Sequence, residues 1–223
     1  MQSFHRLLAP ALSFNGGYID TVGFLALQGL FTAHVTGNFV TPGVSIVHGT
    51  SGAIGKIIAL PLFALVVGLS HISASSLQQK SIHPLRPLLA AHTLLLALFC
   101  VLAISLGPFK DGDSPPAILT GMTAVSAMAI QNTVSRLHMK SMPPTTLMTG
   151  NVTQFAVDIS DLLSQKDVGK RSVIKNRMKP TGKNLLGFAA GCIGGALLYR
   201  GVGLECLIIP VFVAIWAWIT TKK

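Results

Sequence analysis

The chain has 223 residues, half of them hydrophobic and only 11% charged, against about 25% charged in soluble domains. A mean hydropathy of +0.62 excludes an ordinary water-facing enzyme or binding module, whose surface needs charge, and points to an integral membrane protein. The net charge of +10 suggests nucleic acid only until the charges are placed along the chain.

The first apolar stretch, residues 7–30, suits a hydrocarbon core about 30 Å thick. It carries Asn15 and Asp20 inside the apolar run, which a cleaved leader would lack. Pro10 fits a helix start. Residues 31–50 are too polar and too rich in glycine and proline to span, and they hold Thr36-Gly37-Asn38. A second span is expected over 54–75, with Pro61 as a kink point. A polar turn at 78–84 precedes a third span over 85–106. The breaker-rich loop 107–116 closes the first half. The fourth span covers 117–135. Pro143-Pro144 and a second motif, Thr149-Gly150-Asn151, follow. Residues 152–163 read as a short amphipathic helix bearing Asp158 and Asp161, and 164–183 as a basic, mobile segment.

The fifth and sixth spans fall at 184–199 and 204–219. Gly187, Gly191 and Gly195 recur along one face of the fifth, the pattern that lets membrane helices approach closely within a bundle or between subunits. Trp216 and Trp218 read as interfacial anchors. Cys100, Cys192 and Cys206 sit in separate apolar segments and read as packing residues, with no metal-ligand spacing.

The landmarks recur in order. Asp20-Thr21-Val22 matches Asn132-Thr133-Val134, the two Thr-Gly-Asn motifs match, and Gly55-Lys56 matches Gly182-Lys183. This reads as an internal duplication, residues 1–110 and 111–223, within a single membrane domain. With six spans and a cytoplasmic N-terminus, every lysine and arginine except Lys56, Lys110 and Arg200 falls on the cytoplasmic side, as the positive-inside rule requires. The basic balance is then a topology signal. Lys166, Lys170, Lys175 and Lys179, with Arg171 and Arg177, are placed to meet anionic lipid heads. No aromatic interleaving accompanies them, so nucleic acid is not an expected partner. An odd number of spans per half makes the second half enter from the opposite side. The expected fold is therefore all-α, six transmembrane helices as two inverted three-helix repeats, with short non-spanning helices after each Thr-Gly-Asn turn. Such repeats are a common transporter plan.

Asp20 is the leading functional candidate, because an intramembrane carboxylate faces the bundle interior or a water cavity. It could exchange a proton or ligate a cation. Its structural alternative is capping a helix break, which Gly16, Gly17 and Gly23 would permit. Asn132, beside Gln131, is the uncharged counterpart. The Thr-Gly-Asn motifs supply backbone freedom and polar groups. The local structure expected of them is an N-cap for the helix that follows, and a cavity-lining re-entrant turn is the functional alternative. Hence Asp20, Thr36, Gly37, Asn38, Gln131, Asn132, Thr149, Gly150 and Asn151 form the expected substrate-binding set. His34 and His92 are proton-handling candidates or hydrogen-bonded structure. No catalytic motif is present, so no enzyme, cofactor or metal is expected.

Gly17-x-x-Asp20-x-x-Gly23-Phe24-Leu25 and Phe31-x-Ala33-His34-Val35-Thr36-Gly37-Asn38 resemble the first half of the YoaK family of bacterial membrane proteins. Gln131-Asn132, Arg136, Thr145-Thr146 and Met148-Thr149-Gly150-Asn151-x-Thr153 resemble its second half. The resemblance implies a multi-pass protein of the bacterial inner membrane, of unknown function and suspected of transport. The expectation is a secondary transporter of a small molecule or ion, coupled through Asp20, with a homodimer in keeping with the small size. A non-transporting scaffold or assembly factor is the alternative.

Overall fold

A bilayer offers no hydrogen bonds, so helices that carry polar side chains must be shielded by helices that do not. The fold sorts its elements on this principle. A computed structural model describes residues 2–221, with the side chains of 2–6 outside the description. The elements are α1 (Gln2–Ala26), α2 (Thr41–His48), α3 (Ala53–Gln79), α4 (Leu85–Leu106), α5 (Pro115–His138), α6 (Met148–Ser164), α7 (Val168–Val202) and α8 (Ile208–Thr220). Short 3-10 turns occupy Val35–Phe39 and Gly203–Leu207. Four stretches, Ala53–Gln79, Leu85–Leu106, Pro115–His138 and Val168–Thr220, are long and apolar enough to cross a bilayer. The protein is an all-α membrane protein. Lys222, Lys223 and the Arg6 side chain, counted above as cytoplasmic charges, lie outside the description.

The centre is built from α1 and α5, which bury Asn15, Asp20, Thr120, Gln131 and Thr133. Around them, α3 and α4 expose Leu65, Leu69, Ile72, Leu94 and Val101, a continuous apolar surface suited to lipid. α1 packs on α7 and α8, whereas α5 packs on α3 and α4.

The α1–α7 seam is close because glycines line it from both sides. A Cβ built on Gly191 would stand 2.1 Å from the Phe14 carbonyl oxygen, and one on Gly187 would stand 2.6 Å from that of Pro10. From the other side, Gly17 would place a Cβ 2.2 Å from the Phe188 oxygen. The glycine stripe thus packs within the bundle.

Several expectations are corrected. Pro10 lies inside α1, and α1 runs unbroken past Gly16 and Gly17; those glycines serve close packing. Residues 164–183, expected to be mobile, are largely helical, because α7 begins at Val168. The Asp167 side chain starts it by accepting from the Gly169 and Lys170 amides at 2.7 and 3.2 Å, as an N-cap does. Two of the basic residues assigned to lipid are also engaged by polar groups of the protein, though Arg177 stays half exposed. Arg177 pairs with the buried Asp158 of α6, and Arg171 donates to the Leu162 and Gln165 carbonyls at 2.6 and 2.8 Å.

At the other end of the bundle, Asp113 caps α3. Its two oxygens accept from the amides of Gly52, Ala53, Ile54 and Gly55 at 2.8–3.2 Å. Lys56 is buried, and its Nζ donates to Ser45 Oγ at 2.9 Å, tying α2 to α3.

Candidate functional site between two doubled-back loops

After Ala26 the chain turns through Gln28 and Gly29, at φ of 53° and 83°. The Gln28 side chain donates to the Phe109 carbonyl at 2.9 Å. This turn sends residues 31–34 back alongside α1. There the Asp20 Oδ1 accepts from the amides of Thr32, Ala33 and His34 at 2.8, 2.7 and 3.2 Å. Asp20 lies one and a half turns before the helix end, so the loop descends about 9 Å beside its own helix. The carboxylate therefore caps a doubled-back loop, as the structural alternative for Asp20 required in part. Its hydrogen bonds among the described residues all fall on Oδ1, and the residue also lines a cavity.

The second loop repeats the construction with uncharged groups. Asn132 Nδ2 donates to Thr146 Oγ1 at 3.0 Å. Gln131 Nε2 donates to the Leu12 carbonyl at 2.8 Å and lies 3.5 Å from Thr145 Oγ1. Asn132 precedes the end of α5 by the same interval as Asp20 precedes the end of α1.

Neither Thr-Gly-Asn motif is an N-cap, contrary to expectation. α2 begins at Thr41, and no side chain caps it. The second motif lies inside the first turn of α6, which starts at Met148, so no short helix begins only after it. The asparagines instead reach back seven residues. Asn38 accepts from the Phe31 amide at 2.9 Å and donates to its carbonyl at 2.7 Å. Asn151 donates to the Pro144 carbonyl at 2.8 Å. A proline has no amide to return the second bond. Each asparagine thus closes its own loop into a ring, and both are buried. Gly37 is needed for room: a Cβ there would meet the Phe31 ring at 2.6 Å.

Two cavities lie between the loops. One, of about 420 Å3, is lined by Asp20, Phe24, His34, Met148 and Cys192. The other, of about 740 Å3, is lined by His34, Thr36, Met148, Thr149, Gly150 and Asn151 among others. His34 and Met148 belong to both. The structure therefore brings Asp20, Thr36, Thr149, Gly150 and Asn151 to adjoining cavities. Gly37, Asn38, Gln131 and Asn132 line neither and act on the loops.

His92 is wholly buried, its Nδ1 2.9 Å from the Ala127 carbonyl. Its Nε2 is without a hydrogen-bond partner, as are Ser13 Oγ, Asn15 Oδ1 and Gln131 Oε1. Among the described residues no group of His, Cys, Asp or Glu is placed to hold a metal ion.

Lys140 and Arg177, both on the larger cavity, were not candidates from sequence. Lys140 carries a weak signal, since it lies between Asn132 and the second motif. Arg177 carries none, because only the packing of α6 on α7 brings it there.

The family model described as "Protein of unknown function (DUF1275)" matches residues 8–220. The chain is 28% identical over 166 residues to the UPF0700 transmembrane protein YoaK of Bacillus subtilis (strain 168), a match covering 72% of this chain and 70% of that protein. No solved structure matches the chain.

Proposed function

The chain belongs to the YoaK family of membrane proteins, DUF1275, and from that premise we propose that it is a secondary transporter, and no enzyme, moving a small molecule or ion across the bacterial inner membrane. One observation carries the reading: two adjoining cavities sharing His34 and Met148 reach Asp20, Thr36 of the first motif and residues 149–151 of the second. A packed scaffold has no use for such a space. Asp20 then couples transport to a proton or cation through Oδ2, while Oδ1 keeps the loop in place. Gly37, Asn38, Gln131 and Asn132, expected to touch substrate, take the role of shaping the two loops.

In this reading six helices span the membrane: α1, α3, α4, α5, the C-terminal part of α7, and α8. They form two inverted repeats, with both termini in the cytoplasm. Three observations support the inversion. The contacts of α1 with α7 and α8 mirror those of α5 with α3 and α4. Asp20 and Asn132 each lie six residues before the end of their helix and hold the loop that follows. The Asn38 and Asn151 rings close over the same seven-residue interval. Alternating exposure of a site between inverted halves follows from such an arrangement.

The test is uptake into liposomes with a pH dye and a metabolite panel, comparing wild type with Asp20→Asn. Solute-dependent proton movement in wild type, lost in Asp20→Asn, is expected. No accumulation of any solute would remove the transporter reading, and equal activity in the variant would remove Asp20 from coupling. One observation favours the alternative of a non-transporting scaffold, namely that Asp20 is tied to three backbone amides. In that case Asp20→Asn would change stability alone.

A further inference from the structure

We propose that the 740 Å3 cavity binds a small oxyanion that also carries a hydroxyl group, a hydroxy acid or a phosphate. The inference rests on the transporter reading for its purpose and on the cavity itself for its chemistry.

The charged side chains on this cavity are cationic. Among the described residues Lys140 and Arg177 line it and no carboxylate does. Arg177 is shared with Asp158 and, at 3.7 Å, Asp161. Lys140 is exposed and makes no ion pair among the described residues, so its charge faces the space uncompensated. Beside these cations, α6 begins at Met148, and no side chain caps it. The first amides of a helix have no partner within it. Here Leu147, Met148, Thr149 and Gly150 all line the cavity, so the positive end of the helix dipole opens onto it.

A separate observation asks for a donor on the ligand. Asn151 is 3% exposed, lines the cavity and spends its Nδ2 on the Pro144 carbonyl at 2.8 Å. Its Oδ1 accepts nothing among the described residues. A carboxamide oxygen on a residue that lines a cavity can accept from a ligand hydroxyl. Cations and amides for the oxyanion, with one acceptor for a hydroxyl, suit a hydroxy acid or a partly protonated phosphate. A bare halide or a neutral sugar fits less well.

The experiment uses the full chain in neutral detergent. Thermal stabilisation by sodium phosphate and sodium lactate is compared with sodium chloride of equal ionic strength and with glycerol. Phosphate or lactate should stabilise the wild type beyond chloride and glycerol. Lys140→Gln should weaken that binding about tenfold while Lys140→Arg retains it. Thr149→Glu should abolish binding while leaving the ligand-free protein folded, because a carboxylate in the first helical turn is itself favourable. That pairing separates a ligand site from a structural role.

Displacement of phosphate by phosphatidylglycerol, with phosphatidylcholine inert, would assign the shared phosphate chemistry to a lipid headgroup. The absence of such displacement would assign it to a free solute. No anion effect beyond chloride, or unchanged affinity in both Lys140→Gln and Thr149→Glu, would overturn the inference. Anion binding without liposome uptake would keep the site and remove the transporter. Uptake of a neutral or cationic solute with no anion binding would do the reverse.

Discussion

Replacing Gly191 by alanine adds one methyl group at the tightest point of the α1–α7 seam. The new Cβ would stand 2.1 Å from the Phe14 carbonyl oxygen and 2.9 Å from the Tyr18 nitrogen. Both are backbone atoms, so no side chain can swing away. Ordinary contact begins near 3.4 Å, and the helices must therefore part by about 1.3 Å at this level. The neighbouring close approaches at Gly17, Gly187 and Gly195 lie on the same seam and would loosen with it. Overpacking of this kind costs about 1–3 kcal/mol. Alanine returns up to about 1 kcal/mol through helix propensity. The net expectation is a loss of about 1–2 kcal/mol, a factor of about 5–30 in the folding equilibrium. Gly194→Ala is the control. It lies on the same helix, and its Cβ would meet only the Tyr18 ring, at 4.0 Å, so only the propensity gain remains. Thermal unfolding followed with a thiol-reactive dye, reporting on Cys100, Cys192 and Cys206, should rank Gly194→Ala at or above wild type and Gly191→Ala below both. Equal midpoints for the two alanine variants would refute the view that backbone contact sets the seam.

Asp113→Ala removes the acceptor of four amides at the start of α3 and should cost about 1–2 kcal/mol. Hydrogen exchange should accelerate at residues 52–55 and leave the rest of α3 unchanged. Asn38→Ala should free the first loop more than Asn151→Ala frees the second, because Asn38 makes two backbone bonds to Phe31 and Asn151 makes one to Pro144; amide exchange in residues 31–38 and 144–151 reads the difference. For the six-span orientation, single cysteines replacing Lys110 and Lys183, in a chain whose native cysteines are changed to alanine, should label from opposite sides with a membrane-impermeant thiol reagent. Labelling from the same side would contradict the inverted arrangement.

The paired landmarks were legible because they lie in residue identity, and the two loops they mark are held by related contacts. Asp20 with residues 32–34 and Asn132 with Thr146 are variants of one device. The role of the motif asparagine was not legible. Thr-Gly-Asn before an apolar run has the local signature of a helix cap, and only the path of the chain shows that the amide reaches back seven residues instead. The basic segment misled for a related reason. Charge density in residues 164–183 suggests a mobile linker, yet the Asp167 cap and the anchoring of Arg171 and Arg177 on α6 keep it helical.

Sequence by itself determined that this is an all-α membrane protein, because apolar run length and scarcity of charge are one-dimensional properties. It also identified the close-packing stripe of Gly187, Gly191 and Gly195, because helical periodicity puts residues four apart on one face. Tertiary structure alone decided what the stripe meets, namely the carbonyls of α1. It also decided which polar residues share a space. Lys140, Arg177, Thr36 and the start of α6 come from four separate segments. Their meeting depends on two loops doubling back along their own helices, a geometry set by side chain to backbone hydrogen bonds that no local pattern encodes.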